Sequence, residues 1–193
     1  KDFNNFDISL YLGPNFHFVI YPINQDKEFN FIAIIRKELI QKKIINKDLL
    51  NDNTFKKNLL NEISSKSSLN LVEKVEKTKC FPIFVSKKFL IPKSNNIFLT
   101  GDAFYAFPPS FAQGASQSIE SANEVFLDLK NNTSNYYKNR VFRTKQINSR
   151  SNLNHFAFHL SNPINIFFRN SCLKYLSKND KFLENYLGKV YSN

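Results

Sequence analysis

The chain has 193 residues, of which 42% are hydrophobic and 15% aromatic, and this composition excludes a disordered protein. Two cysteines, Cys80 and Cys172, are too few for a disulfide framework and too far apart for a metal or redox pair, which predicts a reduced, cytoplasmic setting. The net charge of +11 comes from scattered lysines, which favours a solvated basic surface over a specific nucleic-acid interface and leaves peripheral attraction to an anionic membrane open.

Three strand-like runs open the chain. Residues 8–23 contain two of them, on either side of a Gly13-Pro14 turn, and Phe29 to Ile35 is the third. We expect an antiparallel sheet with one buried face. The two-residue period of a strand places His17 and Tyr21 on one face, where both can reach a common pocket and hydrogen-bond a phenol. The alternative is an ordinary sheet tyrosine and a surface histidine.

A lysine-rich helical connector is predicted from Lys37 to Lys79, and a strand from Cys80 to Val85. The connector carries two apolar stripes, the first formed by Phe55, Leu59, Leu60 and Ile63, and the second by Leu69, Val72 and Val75.

The centre of the chain predicts a strand, an acidic turn, a proline loop and a helix. Ile97 to Thr100 is a short apolar run typical of a buried strand, and Gly101-Asp102 ends it with a turn that leaves a carboxylate behind. Pro108-Pro109 favours an extended connection, and Gln113-Gly114 gives a side-chain-free approach to a helix from Ala115. The first N–H groups of this helix form a site for electron-rich oxygen. Its predicted core positions are Ile119, Ala122, Val125 or Phe126, and Leu129.

Helices are predicted for the remainder of the chain. Asn131 to Ser134 supplies a break and an N-cap before a long basic helix that starts at Tyr136. The basic residues of this helix are Arg140, Arg143 and Arg150, and its predicted apolar side is Ile147, Leu153, Phe156 and Leu160. Residues 163–187 predict one or two shorter helices with a core of Phe167, Phe168, Leu173, Leu176, Phe182 and Leu187.

The central segment resembles the second flavin-binding motif of the class A flavoprotein monooxygenases, the aromatic-ring hydroxylases built on the p-hydroxybenzoate hydroxylase plan. The matching residues are Gly101, Asp102, Ala103, Pro109, Gln113, Gly114 and Glu120. Phe104-Tyr105 replaces the Ala-His of the family, and Ser121 stands where an aspartate is usual. The opening strands resemble the salicylate-hydroxylase-like branch at His17 and Tyr21, and the family has a Tyr-x-x-x-Arg-x-x-Arg segment similar to the one that begins at Tyr136.

The resemblance implies an FAD enzyme that uses NAD(P)H and O₂ to hydroxylate an aromatic small molecule, with no metal. Asp102 would bind the ribitol hydroxyls of FAD and Pro109 would border the reacting flavin ring. The backbone amides implied to stabilise negative charge on the ring are those around Gln113, Gly114, Ala115 and Ser116. His17 and Tyr21 would face the substrate.

The implied fold is α+β, as a C-terminal half of the family. The parts are a partial substrate sheet with its connector (1–90), the flavin motif (91–130) and C-terminal helices (131–193). The chain contains no methionine, and its glycines form no Gly-x-Gly-x-x-Gly cluster, which the family uses for the ADP half of FAD. We therefore expect a piece of a longer enzyme that is inactive alone and whose oligomeric state the sequence leaves open.

Three alternatives remain at this stage. A ubiquinone-pathway ring hydroxylase, whose substrate is a membrane-borne prenylated phenol, suits the basic surface. A flavin-dependent reductase acting on isoprenoid chains belongs to the same broad family. A basic nucleic-acid-binding module is the alternative outside enzymes, and affinity for RNA or DNA that falls steeply with salt would indicate it.

Overall fold

The computed structural model describes residues 7–23, 28–40, 47–67, 70–75, 78–94 and 96–188. In these ranges the chain is mixed α and β, as predicted. It divides into two compact units, each described here by itself. Unit 1 comprises Lys1–Pro82 and Ala157–Leu187, and unit 2 comprises Ile83–Phe156 and Gly188–Asn193. No helix within the described ranges is long and apolar enough to cross a bilayer.

Unit 1 contains the predicted sheet. Its three antiparallel strands are β1 (Ser9–Gly13), β2 (Phe16–Ile23) and β3 (Glu28–Ile35), paired in the order β1-β2-β3. The hairpin between β1 and β2 turns at Asn15, whose φ of 64° lies in the left-handed region that asparagine tolerates. The hairpin and the third strand are therefore confirmed.

One face of β2 forms the core of unit 1. Phe16, Phe18 and Ile20 alternate along the strand and are buried against helices α3 (Asn53–Ser67) and α4 (Leu71–Lys74). Burying one such side chain contributes about 1.5–3 kcal/mol. The first predicted stripe is confirmed, because Phe55, Leu60 and Ile63 are buried. Leu69 and the side chain of Val72, both from the second stripe, lie outside the described part of the chain.

Unit 1 contains further helices, of which α8 (Pro163–Leu176) is the longest. Two of them, α1 (Lys37–Ile40) and α2 (Lys47–Asn51), precede α3. Later in the chain come α8, α9 (Asp180–Leu183) and a π-helical turn (Glu184–Gly188). The predicted core of 163–187 is wrong, because Phe167, Phe168, Leu173 and Leu187 are exposed. The buried residue of α8 is instead Arg169, which donates to the carbonyl of Ala157.

Unit 2 is helical. Its elements are α5 (Gly101–Phe104), a 3₁₀ turn (Pro109–Phe111), α6 (Gly114–Lys130) and α7 (Tyr136–Phe158), whose last two residues belong to unit 1. The strands predicted at Cys80–Val85 and Ile97–Thr100 are wrong, since neither run pairs with a strand in the described ranges.

Two tyrosines of α7 bond the backbone that was predicted to be a buried strand. The hydroxyl of Tyr137 accepts from the N–H of Leu99 at 2.9 Å and donates to the carbonyl of Ile97 at 2.9 Å. The hydroxyl of Tyr136 donates to the carbonyl of Leu99 at 2.6 Å. In a β-sheet, the backbone groups of residues two apart on one strand edge bond a neighbouring strand. Here the tyrosine hydroxyls of α7 take the place of that neighbouring strand.

The buried faces of α6 and α7 also differ from the prediction. Of the predicted core positions of α6, Ile119, Ala122, Phe126 and Leu129 are exposed and Val125 is half-buried, whereas Gln117, Ser121 and Asp128 are buried. On α7, Ile147 is buried as predicted, but Leu153 and Phe156 are exposed. The two helices thus bury mainly polar side chains, and most of the predicted apolar positions face outward.

Candidate flavin site

The acidic turn depends on a glycine in an unusual conformation. Gly101 has φ of 54°, in the left-handed region, and a Cβ at this position would lie 2.4 Å from the hydroxyl oxygen of Ser118. Both the conformation and the close approach therefore favour glycine. Asp102 follows in the first turn of α5 and is exposed to solvent. The carboxylate thus follows the predicted turn, but it lies on a helix packed against α6 and not at the end of a strand.

The proline loop leads directly into α6. Pro108 is buried with an extended backbone, and the exposed Pro109 begins the 3₁₀ turn. Ala112 then adopts a left-handed conformation at φ 51° before Gln113 returns to helical angles. Of the two prolines predicted to be extended, only Pro108 is extended, and the loop closes with a sharp turn at Ala112.

Three side chains on one face of α7 hold this loop, and the sequence analysis missed them. Ser151 donates to the carbonyl of Pro108 at 2.9 Å, and Asn154 donates to the carbonyl of Ser110 at 3.3 Å. The hydroxyl of Ser110 is hydrogen-bonded to Nδ1 of His155 at 3.1 Å. Residues at positions i, i+3 and i+4 share one face of a helix. Three polar residues at this spacing were therefore the sequence signal for a polar contact face on α7.

The N-terminus of α6 has no side-chain cap. In the described ranges, the amides of Gly114, Ala115 and Ser116 have no recorded acceptor, and Gln113 makes no side-chain cap. A Cβ added to Gly114 would meet no atom within 4 Å. The partial positive charge of a helix N-terminus favours an electron-rich oxygen here. The Gln113 side chain is itself buried, with its oxygen 3.5 Å from Nε2 of Gln117.

A buried arginine joins α6 to α7. Arg140 is 1% exposed and donates to Glu120 at 3.0 Å and to Glu124 at 3.1 Å. It also donates to the side-chain oxygen of Gln117 at 2.8 Å, and Arg143 donates to Glu120 at 2.8 Å. The two arginines of the Tyr-x-x-x-Arg-x-x-Arg segment and Glu120, the acidic position of the predicted flavin motif, thus belong to one charged cluster.

Glu124 is a member of this cluster that the sequence analysis did not single out. Burial raises the pKa of its carboxyl above the ordinary value, while the Arg140 guanidinium acts in the opposite direction. Its second oxygen, Oε2, is buried and has no hydrogen-bond partner among the described residues. The sequence did contain a signal for Glu124. It lies four residues after Glu120, and side chains at this spacing share one face of a helix and can meet the same neighbour.

The start of α7 is capped from α6. Asp128 is buried and accepts from the hydroxyl of Thr133 and from the backbone N–H groups of Asn135 and Tyr136. The hydrogen bond from Thr133 is the main reason that the pKa of Asp128 lies below its ordinary value. The predicted break at Asn131 to Ser134 is confirmed, but Asp128 supplies the capping oxygen in place of that segment.

The predicted substrate residues belong to unit 1, whereas the flavin-motif residues belong to unit 2. His17 and Tyr21 lie on the same face of β2. His17 is buried, with Nδ1 3.1 Å from Nε2 of His159, so the suggested surface histidine is wrong. The half-buried Tyr21 accepts a hydrogen bond from the Asn30 side chain, and its hydroxyl keeps its own proton for donation.

In the described part of the chain, no group of three or more His, Cys, Asp or Glu residues is arranged to hold a metal ion. No protein-family model matches the chain, and no curated protein matches it at a significant level.

Proposed function

We propose that this chain carries the flavin-ring segment of an FAD-dependent monooxygenase that hydroxylates an aromatic, phenolic substrate with NAD(P)H and O₂. The observation that carries the proposal is the pairing, within unit 2, of a left-handed Gly101 ahead of an exposed Asp102 with the open N-terminus of α6. A carboxylate beside uncapped amides suits a ligand that has both hydroxyl donors and an electron-rich edge.

The residues present fit the flavin half of FAD. Asp102 would accept hydrogen bonds from ribitol hydroxyls, and the amides of Gly114, Ala115 and Ser116 would donate to the N1–C2=O edge of the ring. Pro109, which is exposed at the start of the 3₁₀ turn, would border the ring. When bound, FAD supplies the hydride and oxygen chemistry.

The substrate contacts are assigned to β2. Tyr21 would orient a phenol by donating its hydroxyl proton. His17 would accept a phenolic proton, which makes the aromatic ring more electron-rich. Nε2 of His159 lies 3.1 Å from Nδ1 of His17 and 3.3 Å from the carbonyl oxygen of Ile34. Because the carbonyl can only accept, Nε2 of His159 carries the hydrogen that Nδ1 of His17 accepts, and this contact orients the His17 ring.

Replacing Asp102 with alanine is expected to weaken flavin binding about tenfold or more, because charge-assisted hydrogen bonds of about 1.5–3 kcal/mol are lost. Because the proposed site would contact only the flavin half of the cofactor, riboflavin, FMN and FAD should bind the 193-residue chain weakly and about equally. Quenching of flavin fluorescence during titration measures all three affinities.

Asp180 provides a matched control for this substitution. It is an exposed aspartate in the first turn of a four-residue helix, as Asp102 is, but it belongs to unit 1. Asp180→Ala should leave flavin affinity unchanged. Equal flavin affinity in the Asp102→Ala variant and the unaltered chain would refute the site, and retention of stoichiometric FAD after dialysis would show that the motif needs no separate ADP-binding part.

Replacing Tyr21 with phenylalanine is expected to slow hydroxylation in the flavin-loaded enzyme without changing flavin content, since only the orienting hydroxyl is lost. The ratio of hydroxylated product to NAD(P)H oxidised should fall. Tyr21→Phe is preferable to a substitution of His17, which is buried and would also cost stability. An unchanged product ratio would leave Tyr21 with a structural role only.

A further inference from the structure

The outward face of α8 carries an aromatic stripe. Ile164, Phe167, Phe168 and Tyr175 occupy positions i, i+3, i+4 and i+11 of the helix and are 66%, 67%, 65% and 71% exposed. These positions lie on one side of the helix cylinder. Arg169 points to the opposite side and is buried. The helix therefore turns its largest apolar side chains away from the protein.

The stripe lies in a strongly basic part of the sequence. Between Asp128 and Asp180 there is no acidic residue, whereas nine lysines and arginines occur, three of them on or just beyond α8. Lys174 and Lys178, on and just beyond α8, are both exposed. Arg140 and Arg143 are balanced by glutamates of unit 2, but no ion pair is recorded for either lysine among the described residues.

We propose that the α8 stripe docks onto an anionic lipid bilayer, with the helix lying in the plane of the interface. An exposed apolar helix face flanked by lysines is the arrangement that binds such surfaces, since apolar burial and attraction to anionic headgroups add together. This charge complementarity selects the occupant. Two copies of the chain packed through α8 would bring Lys174 and Lys178 of both copies together, which like-charge repulsion disfavours.

The chain contains no tryptophan, so the fluorescence of one introduced tryptophan reports only on its own position. Phe168→Trp places a single indole in the stripe. Its emission should shift to shorter wavelength with vesicles made of equal parts phosphatidylcholine and phosphatidylglycerol, but not with phosphatidylcholine alone. Binding should weaken as salt rises from 0.1 to 1 M, over which the Debye length falls from about 10 Å to about 3 Å.

Vesicle sedimentation of the 193-residue chain measures the contributions of the stripe and the charges. Phe167→Ser with Phe168→Ser should weaken binding to the mixed vesicles roughly a hundredfold. Lys174→Glu with Lys178→Glu should weaken it more than tenfold without altering the stripe. Phe126→Ser is the matched control, since Phe126 is 60% exposed on α6 of unit 2, and its binding should be unchanged.

Several results would overturn the proposal. Binding that is equal on both vesicle types, or that is unaffected by both double substitutions, would exclude an anionic bilayer as the partner of α8. Sedimentation of a dimer without vesicles that is lost in the Phe167→Ser, Phe168→Ser variant would assign the stripe to a second copy. Salt-sensitive binding of a single-stranded RNA oligonucleotide that displaces the vesicles would assign it to nucleic acid. Circular dichroism verifies that each variant keeps its helix content.

Discussion

Replacing Arg140 with methionine is expected to lower the free energy of unfolding by about 3–5 kcal/mol, the largest loss we predict for a single substitution. The guanidinium is 1% exposed and is the donor shared by Gln117, Glu120 and Glu124. Arg143 still pairs with Glu120 in the variant, so the uncompensated groups are Glu124 and the Gln117 oxygen. Urea unfolding followed by circular dichroism measures the loss.

The size of this loss should depend on pH. The pKa of Glu124 is already raised by burial, and removal of Arg140 takes away the charge that opposes the rise. A raised carboxyl pKa favours the folded state below the ordinary value of 4.5 and costs stability as pH rises through the folded-state pKa. The Arg140→Met variant should therefore lose more stability at neutral pH than near pH 4.5.

Two further variants define the controls for Arg140. Lys145 is exposed on the same helix, and Lys145→Met should change the free energy of unfolding by no more than about 0.5 kcal/mol. Glu124→Gln in the Arg140→Met background should recover part of the loss, because a neutral amide replaces an unpaired charge. A similar loss for Arg140→Met and Lys145→Met would show that the cluster contributes nothing to stability.

Gly101→Ala is expected to cost about 2–5 kcal/mol of unfolding free energy, the second-largest effect. The left-handed backbone disfavours a side chain by about 1–2 kcal/mol. The added methyl group must also displace the Ser118 hydroxyl, 2.4 Å from its position, for which overpacking costs of about 1–3 kcal/mol are usual. That hydroxyl donates to the carbonyl of Gly114, so its movement also breaks a hydrogen bond of α6.

The two contributions to the Gly101→Ala loss can be separated. In a Ser118→Ala background the hydroxyl is absent and the Cβ of residue 118, at 3.1 Å, is the nearest remaining atom, so the cost of Gly101→Ala should fall toward the backbone part of about 1–2 kcal/mol. Gly114→Ala is the matched glycine control, because no atom lies within 4 Å of its added methyl and alanine suits a helix better than glycine. Destabilisation by Gly114→Ala equal to that by Gly101→Ala would contradict the steric argument.

Local chemistry in the sequence determined the elements of unit 1 and the turns of unit 2. The period-two alternation in residues 16–23 and the turn at Gly13-Pro14 act within a few residues, so the hairpin was predictable. The same holds for the turn at Gly101 and the start of α7 at Tyr136. These features depend on backbone conformations that a residue and its neighbours decide.

Only the tertiary structure decided which helix faces are buried. The apolar positions of α6 predicted a core that includes Ile119 and Phe126, but both are exposed. The buried face of α6 is instead the one whose polar side chains bond α7. Arg140 cannot be buried without its acceptors, and these lie 16 to 23 positions away on α6. In the structure the buried charge is paired with these acceptors, so the polar faces of the two helices meet, and Ile119 and Phe126 face outward. In the same way, a strand at Ile97 required a partner that the run itself does not specify, and two tyrosine hydroxyls of α7 bond its backbone instead.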